Sequence, residues 1–103
     1  MIFVDPICPC LSNANWRWHD SCHLFGDDEA DPHGFARRIG LKRAWFQAGR
    51  KPHYDLTRSM RAKAVRAGAV EYSREQAVAF WRSRSESGAP PITAPSGAEE
   101  EAR

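Results

Sequence analysis

At 103 residues, 42% hydrophobic and 27% charged, the chain has the length and ordinary composition of one globular domain with a modest core. No stretch approaches the roughly 18–20 apolar residues of a membrane span, and residues 1–6 lack the basic-then-apolar pattern of a secretory leader, so no membrane association and a cytoplasmic location are expected. The three cysteines, Cys8, Cys10 and Cys22, are an odd number, which agrees with a reducing compartment, and the net charge is only +2.

Ile2, Phe3 and Val4 form an apolar run stopped by Asp5 and Pro6, which predicts a buried first strand with Asp5 at its carboxyl end. Pro6 and Pro9 then predict a loop over residues 7–15. Asp31 followed by Pro32 reads as a helix cap with proline in the first turn, and Gly40 as the closing residue, so a first helix is expected over 32–39. Residues 44–47 are expected to form a second strand, ended by Gly49 and Pro52. Thr57 caps a second helix running to Ala67, with Gly68 behind it. Residues 69–72 alternate as a third strand. Ser73 and Gln76 have capping-box spacing, and the helix they open buries Ala77, Val78 and Trp81 before ending near Arg84. The sum is an α/β chain of β-α-β-α-β-α order with a short, mostly parallel sheet and right-handed crossovers, forming a single domain over 1–84. Residues 85–103 have almost nothing to bury and are expected to be a disordered tail.

Several ordered motifs carry a resemblance. Val4-Asp5, Ser21-Cys22-His23-Leu24, Trp45-Phe46-Gln47, His53-Tyr54-Asp55-Leu56-Thr57, Arg61 with Ala64, and Gly68-Ala69 together resemble a family of short bacterial and bacteriophage proteins catalogued as a domain of unknown function. The likeness spans roughly residues 2–72. The chain departs from the pattern at Pro32 and Gly34 in the first helix and in the Cys8/Cys10 loop. The resemblance implies a bacterial or phage source and a site shared by these motifs, and it implies no particular chemistry.

Ligands of open parallel sheets sit beyond the carboxyl ends of the strands. Asp5 ends the first strand, and residues 53–57 follow the second, so both are expected at one edge within reach of residues 16–24. His23 and His53 are the candidates for proton transfer, with Asp5 or Asp55 to orient them. Thr57, Arg58 and Arg61 at the start of the second helix are candidates for holding an anion, joined by Tyr54 and Trp18 as ligand contacts. The competing reading makes Thr57 a plain cap and the histidines hydrogen-bonded structural residues. Cys22 is read as a buried, inert thiol. Cys8 and Cys10 are separated by a single residue, with no second cysteine pair, so the crowded stretch from Cys8 to His23 lacks structural-zinc spacing and no metal ligand is assigned.

Two functions from different classes remain. The first is a small enzyme or binding protein for a phosphorylated or nucleotide-like ligand, with any cofactor unspecified. The second is a non-enzymatic, phage-type module for nucleic acid or a host protein. The second draws on charge: residues 1–35 hold six acids against Arg17, whereas residues 36–66 hold ten basic residues against Asp55. A homodimer through the tryptophan-rich loop is a third, structural option.

Overall fold

The computed structural model describes residues 1–14, 16–27 and 29–86. Each helix starts where its capping residue places it. In α1 (Pro32–Arg38) the Asp31 carboxylate accepts from the Gly34 backbone N–H. Gly34 belongs there despite its low helix propensity: a Cβ would stand 2.3 Å from the Asp31 carboxylate oxygen. In α2 (Arg58–Arg66) the Thr57 hydroxyl accepts from the Met60 N–H. In front of α3 (Arg74–Glu86), Ser73 and Gln76 exchange reciprocal side-chain-to-backbone hydrogen bonds, the expected capping box. Gly40 and Gly68 close the first two helices at φ of +94° and +111°. The last helix runs to Glu86, past the expected end, and the rest of the expected tail lies outside the described residues.

The sheet has five strands: β1 (Ile2–Val4), β2 (Cys8–Pro9), β3 (Asp20–Gly26), β4 (Tyr54–Leu56) and β5 (Val70–Glu71). The α/β class holds, but the sheet is mostly antiparallel, which corrects the parallel arrangement expected above. β1, β2 and β4 all pair antiparallel with β3, and only β5 is parallel, lying beside β1. The cause is β3 itself, for which no strand is expected above. It runs between β1 and β4, so these keep a common direction without touching. The expected strand over 44–47 is also corrected. Residues Arg43–Trp45 form a 3-10 turn, and only Gln47 extends, in an isolated bridge to His53.

β3 is covered on both sides where Cys22, Leu24 and Phe25 are buried, and its alternation sorts these residues between two apolar layers. Cys22 and Leu24 enter the layer beneath α1 and α2, with Val4, Phe35, Ile39, Tyr54, Leu56 and Ala64. Phe25 faces the opposite way, onto Phe3 and Ala77, where Tyr72, Phe80 and Trp81 complete an aromatic layer under α3. Full burial of a side chain such as Leu24 stabilises by roughly 1.5–3 kcal/mol relative to exposure. His23 lies between Cys22 and Leu24 in sequence, so it projects to the α3 side.

Candidate functional site

Proline 6 has no N–H to give the sheet, and the ladder breaks there. Between Val4↔Leu24 and Cys8↔Ser21, three residues of one chain (Asp5, Pro6, Ile7) face two of β3 (Cys22, His23), the geometry of a bulge. The Asp5 side chain fills the break. Its Oδ1 accepts the His23 backbone N–H at 2.6 Å and its Oδ2 meets the His23 Nδ1 at 2.8 Å, while Asp5 N donates to the His23 carbonyl. Arg61 holds this turn from behind by donating through Nε to the Asp5 carbonyl at 2.8 Å and through Nη1 to Glu71. The hydrogen bond to Asp5 raises the proton affinity of His23 above its ordinary value; burial opposes this, and the Asp5 and Asp55 charges add to it.

Directly across the ladder from His23 stands Asp55. Its Oδ1 lies 3.8 Å from His23 Nε2 and 3.4 Å from His53 Nε2, and its Oδ2 accepts from the Gln47 amide. The two imidazoles meet edge to face with centroids 4.7 Å apart. His53 is fixed by its two-way backbone bridge to Gln47 and by Nδ1 facing the Lys51 carbonyl. Asp5, His23 and His53, but not Asp55, line a cleft of about 220 Å³. Lys51 joins them on that side, and Arg74, Val78 and Trp81 line it from α3.

The four residues expected to do chemistry, Asp5, His23, His53 and Asp55, therefore come together. They do so on a sheet face rather than beyond strand ends, because His23 and Asp55 sit mid-strand in antiparallel neighbours. None of the five expected ligand contacts lines the α3 cleft. Tyr54 is buried, with its hydroxyl 2.9 Å from His33 Nδ1. Thr57 caps α2, Arg58 pairs with Asp20 at 2.7 Å, and Arg61 supports Asp5 from outside the cleft. Trp18 packs on Trp16 with Arg17 over its ring, and lines a separate groove of about 440 Å³ with Trp16, Trp45 and Met60. Asp55 also lines that groove and so connects it to the cluster.

No site role is expected above for Lys51 or Arg74, and Gln47 enters only as part of the Trp45-Phe46-Gln47 motif. Lys51 stands two residues before His53, the one local hint available; Arg74 reaches the site only through the packing of α3. Cys22 is 1% exposed on the opposite side of the sheet, and burial pushes its thiol up to about 12, which leaves no nucleophile at neutral pH. Among the described residues, His23, His53 and Asp55 are the group that can bring three metal-ligating atoms within 4.8 Å of one another. The cysteines make no such group: Cys8 is exposed, Cys10 half-buried and Cys22 buried.

Residues 2–84 match the model of a family described as "Protein of unknown function (DUF4031)". No match was found among curated proteins or among solved structures. No helix of the described residues is long and apolar enough to cross a membrane.

Proposed function

Since the chain belongs to this family of unknown function, we propose from the site alone that it binds a phosphate-bearing, nucleotide-like ligand in the α3 cleft and acts on it at the Asp5–His23–His53–Asp55 cluster. One observation carries the reading: two histidines directed at a shared carboxylate line a small cleft whose two walls each supply a cation, Lys51 and Arg74. Two cations facing a cleft favour an anionic occupant. The imidazole–carboxylate cluster is the kind of chemistry that breaks or forms bonds to phosphate oxygen. The tryptophan groove beyond Asp55 offers aromatic faces to a base, which favours a nucleotide over a bare phosphate.

Thermal unfolding at low salt with a panel of nucleotides and phosphate esters tests this. A ligand at about a hundred times its Kd adds about 2.7 kcal/mol of stability. The expected result is a rise in Tm that disappears in the Lys51→Ala/Arg74→Ala double variant, whose two side chains are exposed and outside the core. No shift with any member of the panel overturns the reading. A shift that survives the double variant but falls when Arg58 and Lys63 are reversed in charge also overturns it, in favour of a nucleic-acid module using the α2 surface.

A further inference from the structure

We infer that His23, His53 and Asp55 form a site for one divalent transition-metal ion, held by the two Nε2 atoms and Asp55 Oδ1 and open toward the cleft. Three independent features of the geometry converge on this. The first is spacing. Ligand atoms at roughly 2.0–2.1 Å from a metal lie about 3–3.5 Å from each other, and the histidine-to-Asp55 distances of 3.4 and 3.8 Å need only small side-chain rotations to reach that.

The second feature is the orientation of the rings. Metal-bound histidine characteristically gives its other nitrogen to a carboxylate or a backbone carbonyl, which fixes the tautomer. Both kinds of partner are present: Asp5 Oδ2 at His23 Nδ1, and the Lys51 carbonyl at His53 Nδ1. Each places the proton on Nδ1 and leaves the Nε2 lone pair facing Asp55. The remaining carboxylate oxygen of Asp55 is held in turn by Gln47. Two lone pairs and a carboxylate directed at one another repel. A cation placed among them offsets this repulsion.

The third feature is the donor set. Two imidazoles and one carboxylate suit zinc, iron(II), cobalt or nickel better than calcium or magnesium, which prefer all-oxygen shells. Three protein ligands leave coordination positions free, as in catalytic rather than structural sites. What fills them, water or a phosphate oxygen, rests on the ligand reading above; the metal site itself does not.

The test titrates metal-depleted full-length protein with Zn²⁺ alone by calorimetry and with Co²⁺ alone by visible absorption. The expected result is one equivalent bound, with Co²⁺ spectra free of thiolate charge-transfer bands. His53→Ala and Asp55→Asn should each weaken binding by at least about 100-fold, and Asp5→Asn, which alters the partner of His23 Nδ1 while keeping an oxygen for the His23 backbone N–H, by about 10–100-fold. Cys8→Ser/Cys10→Ser should bind normally. His53→Gln, which keeps the side-chain bulk, serves if circular dichroism shows that the alanine variant is unfolded. Absence of binding overturns the inference, as does binding that ignores both His53 variants or vanishes with the cysteine pair. Titrating a phosphate ester into metal-depleted protein and again after Zn²⁺ loading separates the two proposals: ester binding to a protein that takes up no metal leaves the ligand reading standing and this one overturned, and metal binding with no ester binding in either state does the reverse.

Discussion

The buried thiol of Cys22 offers a sharp test of how the sheet separates the face that carries His23 from the apolar layer beneath α1 and α2. Replacing it with alanine removes a sulfur packed in the layer with Val4, Leu24 and Leu56, at a cost on the order of 1 kcal/mol at pH 8. Burial, aided by the Asp5 charge and opposed by Arg61, lifts the folded thiol from 9.0 to about 12. Above pH 9 the unfolded chain releases a proton that the folded chain keeps. A raised folded value means stability that is complete below pH 9 and is lost as pH climbs toward 12. The wild type should therefore lose about 1.4 kcal/mol per pH unit from this group, and the alanine variant nothing. The gap between the two should close with rising pH and invert near about pH 10. Urea unfolding of both proteins from pH 8 to about 10.5, with reductant and chelator present, measures it, and titration of tyrosines and lysines cancels in the difference. A gap that stays constant across the range would refute the reasoning. Modification of native Cys22 by a disulfide reagent as fast as exposed Cys8 would refute it equally.

Two further outcomes follow from the same structure. His23 binds its proton more tightly when folded than its ordinary value of 6.5, through Asp5, so its stabilising share is full below that pH and fades as pH rises through the folded value. With chelator present, the Tm advantage of wild type over Asp5→Asn should be larger at pH 6 than at pH 8, modestly so because His23 is 43% exposed; an advantage that grows with pH contradicts the pairing. Thr57→Ala should cost about 1 kcal/mol by removing the α2 cap, whereas Arg58→Ala should cost well under about 1 kcal/mol because its pair with Asp20 is largely in water. Equal losses in chemical denaturation would show that the cap does not hold α2.

The division of labour around the bulge explains why such a short chain can build a converged cluster. Pro6 denies the sheet an N–H, and Asp5 answers with its side chain, so one local defect both completes the ladder and orients His23. β4 then supplies Asp55 opposite His23, and the backbone bridge of Gln47 to His53 brings the second imidazole against the same carboxylate. Each position rests on backbone pairing rather than on a free loop.

Residues close together in the chain made much of this legible. Asp31, Thr57 and Ser73 with Gln76 mark their helices because a cap acts within one turn, and a glycine behind α1 and α2 marks their ends. The grouping of Asp5, His23, His53 and Asp55 was also legible, since their side chains share the chemistry of one kind of site. The antiparallel sheet was not. Its central strand, Asp20–Gly26, alternates only over Ser21–Leu24 before Phe25 breaks the pattern, and its partners Val4 and Tyr54 lie twenty and thirty residues from Leu24. What escaped was the close approach of His23, His53 and Asp55, whose ligand atoms strand pairing brings within 4.8 Å of one another. Lys51 and Arg74 face one cleft because α3 packs over the Phe3–Phe25 layer. Capping and helix periodicity are local energies that a short stretch of chain expresses alone; strand partners, the face a histidine takes and the walls of a cleft depend on burial against residues far away, so only the folded chain decides them.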